Sequence, residues 1–133
     1  MNNLKPISDW LKKVNLTEAT YSEEAMFRCM VGEVLEAMGV LRPEGITYIL
    51  WDVVKNHAQM PIQPYRIAEE LADLIVFVCD FITRLGYDPT LVLDEVTLKI
   101  NSRSGRYDPA LGKWVKNPSQ TNYIPQEANM RKA

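Results

Sequence analysis

An all-α bundle of about five helices with an irregular C-terminal tail is the fold class that three observations predict. The stretch Arg66–Arg84, RIAEELADLIVFVCDFITR, is apolar at helical spacing over most of its circumference. Prolines, glycines and capping residues punctuate the rest of the chain at intervals that suit helices. No convincing pair of strands with alternating apolar and polar residues is present. At 133 residues the chain is expected to be a single domain. Its core would span about 22–104 and its tail 105–133.

Taken in order, Pro6–Val14 reads as a short amphipathic helix, with Pro6 suited to a first turn, and Asn15–Thr20 as a linker. Ser22 offers an N-cap, and Glu23 and Glu24 place negative charge where the helix dipole favours it. The helix from Glu23 to Met38 carries Phe27, Met30, Val31, Val34 and Met38 on one side, where the methionines are expected to pack. Its other side is small and acidic: Ala25, Cys29, Gly32, Glu33 and Glu36. Gly32 costs a helix about 1 kcal/mol against alanine, so a close approach by another helix or a ligand is expected there.

After a break at Gly39–Gly45, with Pro43 at its edge, Ile46–Asn56 reads as a core helix and His57–Pro64 as a loop. Pro64 opens the long helix and Gly86 ends it; a last helix follows, with Asp88 as N-cap, Pro89 in the first turn, and its end near Asn101. Beyond Gly105 the glycines and prolines predict irregular structure to the end.

The long helix is expected at the centre of the bundle. Ile67, Leu71, Leu74, Val78 and Leu85 form one stripe, Ile75 and Ile82 lie beside it, and Phe77 and Phe81 widen the apolar surface. Set into that surface are Glu69, Glu70, Asp73 and Asp80. A buried carboxylate without a partner is costly, so two acids one turn apart on such a helix call for a cation between them. Glu33 and Glu36, also three residues apart, project from one side of another helix. Two antiparallel helices could face these pairs and enclose hard cations; carboxylate oxygens suit Mg²⁺ or Mn²⁺, whereas zinc would call for His or Cys. The single histidine, His57, lies in a loop without an obvious partner, and Asp80 is either an outer ligand or an ion-pair partner.

Composition sets limits. With 15 Lys+Arg against 17 Asp+Glu, net charge −2, the chain has no electrostatic footprint for duplex nucleic acid. The apolar run Leu71–Val78 is too short and too acid-flanked to cross a membrane, nothing resembles a signal peptide, and a cytoplasmic location is expected. For a phage-encoded protein that means the host cytoplasm. Cys29 and Cys79 read as reduced residues packed in helices.

Glu33-x-x-Glu36 followed by Glu69-Glu70-Leu71-Ala72-Asp73 resembles the ExxE…ExxD arrangement of the MazG-like, all-α nucleoside triphosphate pyrophosphohydrolases. Lys99-Ile-Asn101-Ser102-Arg103 is similar to the basic helix end of that family. Gly112-Lys113-Trp114-Val115-Lys116-Asn117-Pro118 with Tyr123-Ile-Pro125 is similar to the tail of its small phage and bacterial branches. Two spacings depart from the common pattern: Glu36 to Glu70 is longer, and Asn101 to Arg103 tighter. The resemblance covers roughly 22–118.

It implies hydrolysis of a (deoxy)nucleoside triphosphate between the α and β phosphates, giving the monophosphate and pyrophosphate, by a homodimer or homotetramer. Glu33, Glu36, Glu70 and Asp73 would be the catalytic acids holding Mg²⁺ or Mn²⁺, which polarises phosphate and lowers the pKa of water. Glu33 or Glu69 is the candidate proton acceptor. Lys99, Asn101, Arg103, Arg106 and Lys116 would grip phosphates, with Trp51 or Trp114 against the base. The likeness of the tail to phage-type members favours a purine, guanine first (dGTP or GTP). Two alternatives stand beside this reading: a phosphoribosyl-ATP pyrophosphohydrolase-like enzyme, and a non-catalytic dimeric helical adaptor whose acids pair with basic residues of a partner. A helix-borne ExxE is commonly only a solvated face, and Lys99, Arg103 and Arg106 could simply complement a helix dipole.

Overall fold

The structure, a computed structural model, describes residues 4–17, 23–58, 63–111, 113–118 and 122–132. The order of elements is α1 (Lys5–Thr17), α2 (Glu23–Ala37), α3 (Pro43–Lys55), α4 (Pro64–Arg84), α5 (Pro89–Asn101), β1 (Gly105–Asp108), β2 (Lys113–Lys116) and a 3-10 turn at Glu127–Asn129. The protein is mostly helical, as expected.

Proline sets three of the helix starts. Pro43, Pro64 and Pro89 each lie at the first turn of α3, α4 and α5, where a missing N–H costs nothing and the fixed φ is already helical. Asp88 caps α5 from its side chain, accepting from the N–H groups of Thr90 (2.8 Å) and Leu91 (3.4 Å). Gly86, at φ +92°, takes the left-handed conformation just beyond α4 that an L side chain resists. Ser22, the expected cap of α2, lies outside the described residues, as does part of the His57–Pro64 loop. Helix α1 runs to Thr17, three residues past its expected end, because no glycine or proline interrupts Asn15–Thr17.

The chain beyond Gly105 corrects an expectation. Strands β1 and β2 form an antiparallel hairpin with Gly105 opposite Lys116, Arg106 opposite Val115, Tyr107 opposite Trp114 and Asp108 opposite Lys113. Asp108 closes the turn by accepting from the Ala110 N–H at 2.9 Å. Gly105 is obligatory there: an added Cβ would lie 2.5 Å from Trp114 Cζ2 and closer still to the Val115 carbonyl. Trp114 meets Trp10 of α1 edge to face, with ring centroids 5.4 Å apart, and so ties the hairpin to the first helix.

Helix α2 packs on α3, while α1 and α4 both pack on α5. Gly32 faces α3, where an added Cβ would stand 4.0 Å from Thr47 Cγ2; the expected close approach is by a helix. The buried residues among those described are small or polar: Ala25, Pro43, Thr47, Glu95 and Thr97.

Helix α4 has no buried residue, against the expectation that it sits at the centre of a bundle. It packs on α5, and Ile67, Leu71, Cys79 and Ile82 along it are half-buried. The rest is open, with Phe77 72% and Phe81 64% exposed. Met26 and Met38 are likewise exposed rather than packed. Cys29 and Cys79 are free and half-buried. No described helix is long and apolar enough to cross a membrane.

Candidate functional site

The acids that carry the sequence reading stand on two helices. Glu33 and Glu36 are exposed on α2, and Glu69, Glu70 and Asp73 are exposed on α4. Several other acids are neutralised within the chain. Glu24 meets Arg28 at 2.5 Å, Asp80 meets Arg84 at 2.8 Å, Asp52 meets Lys55 at 3.3 Å and Glu127 meets Arg131 at 3.2 Å. Asp80 is thus an ion-pair partner. Among the described residues Glu33, Glu36, Glu70 and Asp73 take part in no such pair.

Helical spacing brings the acids together only in pairs, Glu33 with Glu36 and Glu70 with Asp73. Among the described residues no group of three or more His, Cys, Asp or Glu side chains converges as a metal cage would require. Each pair by itself offers hard carboxylate oxygens of the kind Mg²⁺ and Mn²⁺ take, with room left for water or phosphate ligands.

The basic residues divide. Lys99 lies half-buried in the last turn of α5, Asn101 is its final residue and exposed, and Arg103 follows, half-buried. The Nε of Arg103 and the Oδ1 of Asn122 are both buried and have no hydrogen-bond partner among the described residues. A stitch joins the tail to the end of α5: the Tyr123 N–H donates to Ser102 Oγ at 2.9 Å, and that hydroxyl donates to the Lys99 carbonyl at 2.7 Å. Arg106 and Lys116 sit on the hairpin one register position apart. Cross-strand partners share a face, so Lys116 goes with Gly105, and Arg106 projects from the other side with Val115. The hairpin does not present the two cations together.

Trp51 is half-buried between α2 and α3, stacked on Phe27 at 6.0 Å with an interplanar angle of 21°. Its indole N–H is buried and has no acceptor among the described residues. Beside it Arg28 lies over the Tyr48 ring, 4.4 Å from the centroid, and links the same two helices.

One charged residue escaped the sequence reading altogether. Glu95 of α5 is 4% exposed and accepts from Tyr123 Oη at 2.5 Å and from Asn129 Nδ2 at 2.6 Å. The Tyr123 hydroxyl, then the Asn129 amide, hold its carboxyl below the usual glutamate range despite burial; the same bond raises the Tyr123 phenol. No local signal marks Glu95, since its partners lie 28 and 34 residues downstream. Around it the tail is sewn down. The Asp88 N–H donates to the Met130 carbonyl at 2.9 Å, Tyr87 Oη donates to Glu127 at 2.8 Å, and Arg131 lies over the Tyr87 ring at 4.2 Å.

No protein-family model, curated protein or solved structure matches the chain.

Proposed function

We propose that this chain is a metal-dependent nucleoside triphosphate pyrophosphohydrolase of the MazG-like kind, acting as a homodimer or homotetramer. The observation that carries the reading is the state of the four acids. Glu33, Glu36, Glu70 and Asp73 are exposed and, among the described residues, unpaired, while Glu24 and Asp80 on the same helices are each neutralised by an arginine one turn away. Acids left free in two i, i+3 pairs suit Mg²⁺ or Mn²⁺, and these four residues would hold the metal. When bound, the metal supplies charge neutralisation at the phosphates and acidifies water.

The chain's own groups divide the remaining work. Glu69, next to Glu70 and likewise free, is placed to take a proton from attacking water, with Glu33 the other candidate. Lys99 and Arg103, four residues apart around the end of α5, would supply a cationic grip on phosphates, with Asn101 between them in sequence; Arg103 Nε, without a partner among the described residues, would be a donor there. Arg106 and Lys116, on opposite faces of the hairpin, would serve only singly. Trp51 remains the candidate to lie against the base, and a guanine-bearing nucleotide, dGTP or GTP, is the first substrate to try.

A second reading, the non-catalytic dimeric helical adaptor, is favoured by the open apolar surface of α4. One experiment separates them. Each common NTP and dNTP is incubated with Mg²⁺ or Mn²⁺ while pyrophosphate release is followed, alongside Glu70→Ala and Asp73→Ala. Release from one or two nucleotides, reduced at least about a hundredfold in either variant, is the expected result. No release from any nucleotide with either metal overturns the enzyme reading.

A further inference from the structure

Glu95 precedes Lys99 by one turn of α5, acid first, the order and spacing at which a helix favours an ion pair. The same spacing closes at Glu24–Arg28, Asp80–Arg84 and Glu127–Arg131, as ion pairs of 2.5, 2.8 and 3.2 Å. Glu95 and Lys99 do not close, and among the described residues Lys99 is in no ion pair. The acid is drawn away instead. Its Oε2 accepts from Tyr123 Oη at 2.5 Å and its Oε1 from Asn129 Nδ2 at 2.6 Å. Both carboxylate oxygens are thus turned to neutral donors of the tail.

The tail reaches the base as well as the acid. Glu95, Lys99 and Ser102 lie on one stripe of α5, at i, i+4 and i+7. Tyr123 is bonded at both ends of that stripe, through its N–H to Ser102 Oγ and through its hydroxyl to Glu95. Its side chain therefore spans the stretch of helix surface that carries Lys99. Further along, the Asp88 N–H on the Met130 carbonyl and Arg131 Nη1 on the Gly86 carbonyl, at 2.9 and 3.2 Å, keep Asn129 in place.

We propose that Tyr123 and Asn129 are positioning residues that hold the Glu95 carboxylate off Lys99, leaving its ammonium group available to a phosphate-bearing anion. When the tail lifts, Glu95 takes up the ordinary pairing one turn away and Lys99 is neutralised. The withholding of Glu95 follows from the geometry of α5 and the tail. The choice of anion rests on the proposed enzyme reading, in which Lys99 grips phosphate.

Inorganic pyrophosphate is the probe, titrated by calorimetry into the full chain in metal-free buffer. It should bind the wild-type protein, and Lys99→Gln should weaken it at least about fivefold. Tyr123→Phe combined with Asn129→Ala should weaken it about threefold with helical circular dichroism retained, the size of effect expected when an i, i+4 acid competes for the base. In a Glu95→Gln background the same two tail substitutions should leave the affinity unchanged, because an amide cannot neutralise Lys99. Tyr123→Phe alone, which keeps the Asn129 bond, should show the same pattern at reduced size, and it carries the test if the doubly substituted tail prevents folding. A tail that merely stiffens the end of α5 predicts an equal loss in both backgrounds, and that result overturns the proposal. So does a wild type that binds no pyrophosphate, a Lys99→Gln protein of unchanged affinity, or tail variants that bind as tightly as wild type. The expected pattern without pyrophosphate release from any nucleotide would sink the enzyme reading and leave the positioning role standing. Release from nucleotides with equal loss in both backgrounds would do the reverse.

Discussion

Glu95 shows how a single residue can organise a region without announcing itself. In sequence it is one acid in the run Asp94-Glu95 on an amphipathic helix; in the structure it is 4% exposed and receives the tail through Tyr123 and Asn129. Its folded pKa is depressed, so its contribution is present above the unfolded glutamate pKa and is lost as pH falls through the lower folded value. The raised Tyr123 phenol acts in the opposite sense: its contribution is present below the ordinary tyrosine pKa and lost as pH rises through the higher folded one. Docking of the tail should therefore be stable across neutral pH and weaken in strong acid and in strong base. Tyr123→Phe is expected to lower Tm by several degrees at pH 7 and to flatten the alkaline limb of Tm against pH. An unchanged alkaline limb would show that the phenol is not engaged.

Two glycines predict opposite outcomes for the same substitution. Gly32 has helical backbone and an added Cβ meets Thr47 at ordinary contact distance, so Gly32→Ala should stabilise by up to about 1 kcal/mol. Gly86 is at φ +92° with the Arg131 guanidinium 3.2 Å from an added Cβ, so Gly86→Ala should cost about 1–2 kcal/mol. Thermal melts of both variants check the pair, and equal signs would refute the backbone argument.

At the scale of elements, the starts of α3, α4 and α5 were legible because their signals are local. A proline in the first turn and an Asp at the cap act within a few residues, and nothing distant competes with them. The hairpin was not legible for the converse reason. Each strand has four residues, too few to show a period. What holds them is the fit of Trp114 over Gly105 and its contact with Trp10, more than a hundred residues earlier in the chain. The fit makes a prediction about the element. Gly105→Ala forces the Trp114 ring and the Val115 carbonyl apart, and it should cost on the order of 2 kcal/mol and release the hairpin from α1. Hydrogen exchange should quicken at β1 and β2 while α2 and α3 keep their protection. Uniform quickening would mean that the hairpin is not a separable element.

For the molecule as a whole, the apolar character of α4 was plain in the sequence, but its exposure was not. Periodicity says that a face must be buried and is silent about whether the cover is intramolecular. The same limit applies to the acids. Glu33 and Glu36 could be paired from spacing, and so could Glu70 and Asp73, because i, i+3 geometry follows from any helix. Facing the pairs across a bundle demanded a tertiary packing that α2 on α3 and α4 on α5 do not by themselves provide. If the proposed metal role holds, cation and folding must be linked, because a ligand that binds only the folded state stabilises it by mass action. At a free Mn²⁺ concentration about 100 times the dissociation constant, that linkage amounts to roughly 2.7 kcal/mol. Wild-type protein should therefore melt several degrees higher with Mn²⁺ or Mg²⁺, and Glu70→Ala or Asp73→Ala should lose most of the increment. Glu44→Ala, an exposed acid at the start of α3 outside both pairs, should keep it. A rise that survives in Asp73→Ala would place the cation elsewhere, and no rise in the wild type would count against the carboxylate pairs as a metal site.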